Sequence, residues 1–413
     1  MNPREAERYL LSLELFGMRF GLDRMRRLMT ALGQPERQFR SIHVVGTNGK
    51  SSTVRMIAAI LGRHGLRTGS YLSPHLVSFV ERIRIGDADI APSDFAGAVT
   101  RAAHAVELVE HALGGEDQVT QFEALTAAAY SELARQNVEV AVIEAGLGGR
   151  YDATSVVPSS VQVLTSVGLE HTRWLGPTIA DIAAEKLAVV RAGATLVLGA
   201  GLDPAALAVA REVAWENGAE IVHADADPGV PVGALGTFQR RNFALARSAA
   251  EALVGPLDED AVRAAAAEVR VPGRLQIVDE KPLTLFDGAH NPAGMAALAE
   301  SLPELKRGHD RLVAVIAILD DKDAAGMLSR LLVHCDEVVF TSSKNPRSLP
   351  PPTLQSLAGQ LDGPASLLVR DPRAAVRRAR ELAGPGGVVV ATGSLYLVAD
   401  LLSPPGRSSA SIL

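Results

Sequence analysis

A short apolar run that leads into a glycine-rich turn, IHVVGTNGKSSTV at residues 42–54, constrains the fold of this chain most. The apolar residues predict a buried strand, and the spacing of those after the turn predicts a helix. Gly46 and Gly49 permit a tight turn whose N–H groups point to one place, where the positive end of the helix dipole also lies. A strand, an anion-binding loop and a helix are therefore expected, as in α/β proteins.

Lys50, Ser51 and Ser52 give this loop the chemistry of a nucleotide site. A lysine can contact the outer phosphates, and a serine hydroxyl can ligate the accompanying Mg²⁺, so ATP with Mg²⁺ is the expected ligand. The loop is shorter than the common G-x-x-x-x-G-K-[ST] pattern, and an ordinary strand-to-helix turn is the competing interpretation. The loop residues predicted to contact the nucleotide are Gly46, Thr47, Asn48, Gly49, Lys50, Ser51 and Ser52.

Three polar side chains follow other predicted strands of the same sheet. Ser73 ends a short run after residue 67, Glu144 ends the run from Val138, and His171 follows the run from Val161. Because parallel strands present their carboxyl ends at one edge of a sheet, we expect these residues to converge on a cation. A solvated strand end and a structural histidine are the alternatives.

Strand and helix patterns alternate along the whole chain, which predicts doubly wound, mostly parallel sheets. The segment VPGR at 271–274 interrupts this pattern. We therefore expect an ATP-binding domain at residues 1–271 and a smaller Rossmann-like α/β domain at residues 272–413, with a disordered tail after about residue 404.

Some local patterns are specific enough to test. Thr120 and Glu123 are spaced as a capping box at the start of a helix. Residues 7–32 have helical periodicity, and Val80–Ile85 alternates like a half-buried strand.

Composition excludes several classes of protein. The net charge is −6 and the pI is about 6.0, so no general attraction to nucleic acid or anionic membranes is expected. Cys335 is the only cysteine, which rules out an intrachain disulfide and fits a reducing compartment. The N-terminus lacks the features of a signal peptide, and apolar runs such as residues 312–319 are too short to span a bilayer. A cytoplasmic protein is expected.

Lysine is rare in this chain and its positions are informative. Of 41 basic residues six are lysine, and only Lys50 and Lys186 precede residue 272. Lysine can lose its proton and react, whereas arginine stays protonated, so Lys186 is a candidate for chemistry.

These motifs together resemble the folylpolyglutamate synthase and dihydrofolate synthase family of the Mur ligase superfamily. The resemblance covers nearly the whole chain and rests on eight signatures in family order. They are GTNGKSS at 46–52, SPHL at 73–76 with ERIRI at 81–85, TQFEALTA at 120–127, EAGLGGRYDAT at 144–154, GLEHTRWLG at 168–176, PGR at 272–274, DGAHNP at 287–292 and GSLYL at 393–397.

The resemblance implies an ATP-dependent ligase that joins L-glutamate to a pterin-linked carboxylate through an acyl phosphate. It implies catalytic roles for Lys50, Lys186 and His290, and a carbamylated Lys186. By position it also implies nucleotide contacts from Asn242, Arg274 and Asp287, Mg²⁺ ligation by Ser73, Glu144 and His171, and substrate contacts from Thr120, Gln121, Phe122, Asp152 and Ser394. A monovalent cation such as K⁺ is an additional candidate, and small molecules acting on a monomer are the expected partners.

Three positions depart from the family pattern. Ser51 replaces a usual glycine, Glu170 replaces a usual aspartate before the histidine, and Ser155 replaces a frequent asparagine. The first departure leaves open whether Ser51 or Ser52 reaches Mg²⁺.

Two other functions share part of this pattern. A peptidoglycan Mur ligase would carry a further domain before the loop, and only 45 residues precede Gly46 here. A nucleotide-dependent switch would not need a second domain bearing Asp287 and His290. The acceptor, whether dihydropteroate, a reduced folate or both, and the length of the glutamate chain stay open.

Overall fold

The computed structural model describes residues 1–14, 21–114 and 117–404. Part of the helical stretch expected over residues 7–32, and the tail expected after residue 404, lie outside this description. Within it, no helix has both the length and the apolar character needed to cross a lipid bilayer.

The first sheet lies in the first two thirds of the chain. In the described residues its strands are β1 Arg40–Val45, β2 Thr68–Tyr71, β3 Ile83–Ile85, β4 Ala88–Asp89, β5 Val140–Glu144, β6 Val161–Leu164, β7 Thr195–Leu198 and β8 Glu220–His223. Their order is β4-β3-β2-β5-β1-β6-β7-β8. The sheet is parallel except at one edge, where β3 pairs antiparallel with β2 and β4.

Helices cover both faces of this sheet. They are α1 Pro3–Ser12, α2 Asp23–Ala31, α3 Lys50–Arg63, α4 Pro92–Ala112, α5 Gln121–Arg135, α6 Thr172–Leu175, α7 Ile179–Leu187, α8 Pro204–Asn217, α9 Thr237–Val254 and α10 Glu259–Glu268. Short 3-10 turns occur at Pro35–Arg37, Phe79–Arg82 and Ala153–Val156. In β5, Val140 and Val142 pack with α3, α9 and α10, whereas Ala141 and Ile143 pack with α4 and α5. A strand buried on both faces explains the unbroken apolar run in the sequence.

The second sheet is smaller and has the same layered construction. Its strands are β9 Gln276–Glu280, β10 Leu283–Phe286, β11 Leu312–Ile316, β12 Glu337–Phe340, β13 Ala365–Leu368 and β14 Val388–Thr392, in the order β13-β12-β11-β14-β10-β9. All neighbours are parallel except β9, which pairs antiparallel with β10. The helices are α11 Pro292–Lys306, α12 Ala324–Leu331, α13 Pro351–Gln360, α14 Pro372–Ala383 and α15 Leu395–Leu402, with a 3-10 turn at Leu332–His334.

The expected fold class is confirmed, and so is the capping box. Thr120 and Glu123 make both reciprocal hydrogen bonds at the start of α5. The two sheets lie on either side of residues 271 and 272, which supports the expected domain boundary, and that boundary stays a prediction.

The strand expected over Val80–Ile85 is wrong in its first half. Residues Phe79–Arg82 form a 3-10 turn, and only Ile83–Ile85 is a strand. The Glu81 carboxylate accepts hydrogen bonds from the N–H groups of residues 76, 77 and 78, at 2.6 to 2.8 Å. These bonds favour a turn over an extended ladder, which an alternating pattern cannot reveal.

Candidate active site

A cavity of about 740 Å³ lies where the carboxyl ends of strands from the first sheet face loops of the second. Nearly all the predicted site residues line it. Those that do are Thr47, Asn48, Gly49, Lys50, Ser51, Ser52, Ser73, Thr120, Phe122, Glu144, Asp152, His171, Lys186, Asn242, Arg274, Asp287, His290 and Ser394. Gly46 and Gln121 do not.

Close packing requires glycine at two positions of the loop between β1 and α3. Gly46 has φ +147°, and a Cβ there would lie 1.9 Å from Oγ1 of Thr165. Gly49 has φ +90° and approaches Asn242, whose Oδ1 would lie 2.7 Å from a Cβ. Neighbouring atoms leave no room for a side chain at either position. Glycine meets this requirement and lets the backbone turn tightly beside the strand end.

The N-terminal end of α3 is the anion-binding part of the loop. The N–H groups of Lys50, Ser51 and Ser52 begin the helix, where no intrahelical acceptor is available. In contrast, the Thr47 and Asn48 N–H groups donate to Ser166, at 2.8 and 2.9 Å. A phosphate group would therefore find its donors at residues 50–52 and not along the whole loop.

Two lysines share one carbonyl beneath this loop. The Gly46 oxygen accepts hydrogen bonds from Nζ of Lys50 at 3.0 Å and from Nζ of Lys186 at 2.9 Å. Burial and the Lys50 charge lower the pKa of Lys186 to about 7, against the opposing charges of Glu170 and Asp152. Lys186 therefore has a substantial neutral fraction at physiological pH, which free lysine does not have.

Glu144 is a buried carboxylate at the end of β5. It is 1% exposed and accepts hydrogen bonds from Oγ of Ser51 at 2.9 Å and from the Ser73 N–H at 3.2 Å. Burial raises its pKa, and the Lys50 charge opposes that change. The Ser52 hydroxyl also lines the cavity and has no hydrogen-bond partner among the described residues. Carboxylate and hydroxyl oxygens of this kind suit a hard divalent cation.

His171 lines the same cavity but contacts Glu170. Its Nε2 lies 3.5 Å from Oε1 of Glu170, and the same oxygen lies 3.5 Å from Nε2 of His290 in the second sheet's loop. Burial opposes ionisation of Glu170, but the two histidines lower its pKa below the usual range. In the described parts of the chain, no three His, Cys, Asp or Glu side chains form a metal-binding group. The role of His171 as a metal ligand stays a prediction.

Asp287 holds the loop that bears Arg274. Its carboxylate accepts hydrogen bonds from the N–H groups of Leu275 at 2.9 Å and Ala289 at 2.8 Å. Burial raises the pKa of Asp287, and the nearby Arg274 charge opposes this. Both side chains line the cavity, with Asn242 of α9.

Asn48 and Asn291 join the phosphate loop to the second sheet. Each side-chain amide donates to the oxygen of the other, at 3.2 and 3.1 Å. The Asn291 oxygen also caps α11 by accepting from the Gly294 N–H. We did not predict a role for Asn291, although it lies in the DGAHNP signature.

Another part of the cavity lining combines aromatic and polar groups. Phe122 lies there with the buried Asp152, whose carboxylate accepts from the N–H groups of Leu147 at 2.8 Å and Thr154 at 3.1 Å. Burial raises the pKa of Asp152, and these hydrogen bonds oppose the shift. Thr120 and Ser394 are N-caps of α5 and α15.

The structure does not bring Gln121 to the cavity. Its amide donates to the Leu10 carbonyl at 2.8 Å and ties α5 to α1. This hydrogen bond directs the Gln121 side chain towards α1, whereas its neighbour Phe122 lines the cavity.

His75 and Arg82 are two cavity residues for which we predicted no role. Nε of Arg82 donates to Nδ1 of His75 at 3.0 Å, and both side chains are buried. Burial lowers the pKa of His75 well below its usual value, and the Arg82 charge adds to this. Both lie within quoted signatures, SPHL and ERIRI, which was the available signal.

The fold and this cavity define a nucleotide-binding α/β protein with a ligase-type second domain. The family model "Mur ligase, glutamate ligase domain" matches residues 273–395. The chain is 33% identical to the dihydrofolate synthase/folylpolyglutamate synthase of Bacillus subtilis over 94% of this chain and 95% of that protein. The chain belongs to the folylpolyglutamate synthase/dihydrofolate synthase family.

Solved structures agree with this assignment. A Mycobacterium tuberculosis folylpolyglutamate synthase with ADP superposes with a TM-score of 0.88 at 32% identity, covering 99% of each chain. A bifunctional enzyme of the same kind from Yersinia pestis, with AMPPNP and a manganese ion, has a TM-score of 0.84 at 30% identity, covering 97% of each chain.

Proposed function

We propose that this protein is an ATP-dependent ligase that adds L-glutamate to dihydropteroate, to folate polyglutamates, or to both, through an acyl phosphate. One observation carries this proposal beyond family membership. The phosphate loop with Lys50 and the second sheet's loop with His290 line one cavity, large enough for several reactants together. Relatives named for these activities, and solved relatives holding ADP or AMPPNP, support it.

The proposed reaction has two steps. A carboxylate oxygen of the pterin acid attacks the γ-phosphorus of ATP, which breaks the bond to the ADP oxygen. The glutamate amine then attacks the acyl carbon, phosphate leaves, and the amine loses one proton. We assign that proton to Nε2 of His290. Nδ1 lies 2.8 Å from the Gly288 carbonyl and would donate to it, so Nε2, 3.5 Å from Glu170, is the nitrogen left to accept the proton. Glu170 would stabilise the imidazolium that results.

The loop and its lysine would stabilise the charge that moves in the first step. Phosphoryl transfer depends mainly on in-line positioning and neutralised charge. The helix N–H groups at residues 50–52 and the Lys50 ammonium meet both needs at one end of the cavity. Asn242, Arg274 and Asp287 would hold the nucleotide from the side of the second sheet. Contacts from both sheets would also keep water from the acyl phosphate.

The residues present fit a divalent cation. Glu144, Ser73 and Ser52 would hold Mg²⁺, with His171 at the edge of the set, and the ion would supply charge neutralisation for the phosphates. K⁺ stays an additional candidate. We also propose that Lys186 is carbamylated, because its depressed pKa supplies the neutral amine that reacts with CO₂. The carbamate would turn a buried cation into an anion near the metal residues.

We propose that the pterin acid binds beside Phe122, Asp152 and Thr120, and that glutamate binds towards His290 and Ser394. The aromatic ring of Phe122 gives a stacking surface, and the Asp152 carboxylate gives an acceptor for pterin N–H groups. Gln121 is not included, because its amide is engaged with Leu10.

We further propose a cytoplasmic monomer. A single cysteine supports a reducing compartment, and burial raises the pKa of the Cys335 thiol to about 12, which keeps it unreactive. Light scattering of the purified protein would test the monomer directly.

The decisive assay measures ADP release with each substrate left out in turn. The proposal expects release that needs ATP, Mg²⁺, glutamate and a pterin acid together, with dihydropteroate and tetrahydrofolate assayed separately. An acceptor labelled with ¹⁸O in its carboxylate should pass one labelled oxygen to the released phosphate. A nucleotide switch would release ADP without glutamate, and label-free phosphate would contradict the acyl phosphate.

A further inference from the structure

A second cavity, of about 300 Å³, lies away from the first and shares no lining residue with it. One face of α3, the β2–β3 hairpin, and the segment from α10 to Pro272 form its walls. Alanines at 58 and 59 in α3 and at 265 in α10 leave the interior open because their side chains are short.

The sheet side of this cavity presents a hydroxyl and a guanidinium next to each other. Ser70 of β2 and Arg84 of β3 are register partners, so both side chains leave the sheet on the same face. Ser70 is 1% exposed, and its buried hydroxyl has no hydrogen-bond partner in the described part of the chain. A buried hydroxyl without a partner costs free energy unless a ligand or water satisfies it.

Arg55 of α3 supplies a second guanidinium, which forms no direct ion pair within the described ranges. No hydrogen bond or ion pair joins it to any described residue, although it is partly buried. Burial and the neighbouring Arg84 charge lower the pKa of Arg55 to about 10. Two neighbouring guanidiniums repel each other, and a bound anion would relieve that repulsion.

The acids of the cavity are engaged with other arginines. Arg63 at the rim pairs with both Asp87 and Glu268. Arg84 of β3 pairs with Asp89 of the neighbouring strand β4. These carboxylates form no direct ion pair with Arg55, although the charges of Asp89, Glu81 and Glu144 partly offset the effect of its burial.

Arg270 completes the basic lining from the segment between α10 and Pro272. Its guanidinium donates to the carbonyls of Ala267 and Val269, which holds it at the end of α10. Four arginines thus line the cavity against the two carboxylates of Asp87 and Glu268. The lining carries a net positive charge at neutral pH.

We propose that this second cavity binds a small phosphate dianion, either free phosphate or a phosphate monoester. The planar guanidinium fork matches phosphate oxygens, and the Ser70 hydroxyl can donate to a further oxygen. The wall of the cavity ends at Pro272, two residues before Arg274 of the first cavity. A bound dianion would therefore brace the segment that connects the two sheets.

Calorimetric titration with inorganic phosphate tests this site. The protein is first saturated with AMPPNP and Mg²⁺, so that the phosphate loop is already occupied. We expect one phosphate to bind per chain, with an affinity about tenfold or more weaker in Arg55→Gln, because a charge-assisted hydrogen bond is lost. Arg263→Gln removes an exposed arginine of α10 outside the cavity and should bind phosphate like the wild type.

Thermal unfolding in phosphate-free buffer separates a binding arginine from a structural one. Arg55→Gln removes a partly buried cation that has no direct ion pair with a described residue, so its melting temperature should equal or exceed that of the wild type, and phosphate should no longer raise it. Ser70→Ala deletes one hydroxyl, and its phosphate affinity should also fall. If Arg55→Gln does not fold, this second variant tests whether the cavity binds phosphate. Equal phosphate affinity in the wild type and Ser70→Ala, or no binding to the AMPPNP-loaded wild type, would overturn the proposal. The same titration with glycerol phosphate distinguishes the two ligand types. Tighter binding of glycerol phosphate would indicate a phosphate monoester, and tighter binding of inorganic phosphate would indicate free phosphate.

Discussion

Replacing Lys186 by methionine should change how the stability of the protein depends on pH. The side chain is 4% exposed, and its ammonium donates to the Gly46 carbonyl. Burial, followed by the Lys50 charge, lowers the pKa of Lys186 to about 7. Methionine keeps a long flexible side chain and removes the charge, so the change isolates the cost of the buried cation.

The sign and size of the effect follow from proton linkage. The unfolded chain holds this proton up to a pH of about 10.4, whereas the folded protein releases it near pH 7. Between these values the unfolded state binds more protons, so the free energy of unfolding rises with pH. Relative to its value at high pH, the free energy of unfolding is lowered by the buried lysine by about 4 kcal/mol at pH 7 and by about 2 kcal/mol at pH 9.

Urea unfolding at pH 7, 8 and 9 measures this difference. Wild type and Lys186→Met are compared in CO₂-free buffer without nucleotide or divalent metal, with the exposed Lys281→Met as control. The stability advantage of Lys186→Met should shrink by about 2 kcal/mol from pH 7 to pH 9. Parallel pH curves would refute the depressed pKa. Bicarbonate at pH 8 should stabilise the wild type alone if Lys186 forms a carbamate, and Lys186→Met should lose turnover.

Three further predictions concern the first cavity. Gly46→Ala should weaken AMPPNP binding about tenfold or more, because its Cβ would lie 1.9 Å from Oγ1 of Thr165; unchanged calorimetric affinity would contradict this. Glu144→Gln should lower kcat by about 100-fold or more across a Mg²⁺ titration while the protein stays folded, and normal Mg²⁺-dependent turnover would remove Glu144 from the metal site. Asn48→Ala and Asn291→Ala should show a coupling energy of about 1 kcal/mol in a double-mutant cycle on AMPPNP affinity; additive effects would mean that the amide pair is dispensable.

Local sequence patterns correctly predicted structural features that depend on residues close together in the chain. The capping box at Thr120 and Glu123 needs only residues three apart, and it forms as expected. The run from Val138 to Glu144 was apolar because both faces of β5 are covered, and its last residue emerges at the predicted sheet edge. Each inference used one segment and one physical rule.

Predictions from the sequence failed where a side chain forms hydrogen bonds that the local residue pattern does not show. The carboxylate of Glu81 captures three loop N–H groups and turns the start of an expected strand into a 3-10 turn. Gln121 was carried over with its neighbours from the family resemblance, yet the helix turns its amide towards Leu10. Neither contact leaves a periodic signal in the sequence.

The contacts between the two sheets depend on long-range geometry in the same way. Asn48 and Asn291 are 243 positions apart, and Glu170 and His290, which also meet between the two sheets, are likewise distant in the sequence. No local pattern in the sequence pairs these residues, because their contacts depend on how the two sheets are positioned relative to each other. Arg55 is a different case, because it shares a helix face with alanines at 58 and 59 and with Arg63. The small residues beside this arginine are visible in the sequence, whereas the cavity that they leave open is seen only in the structure.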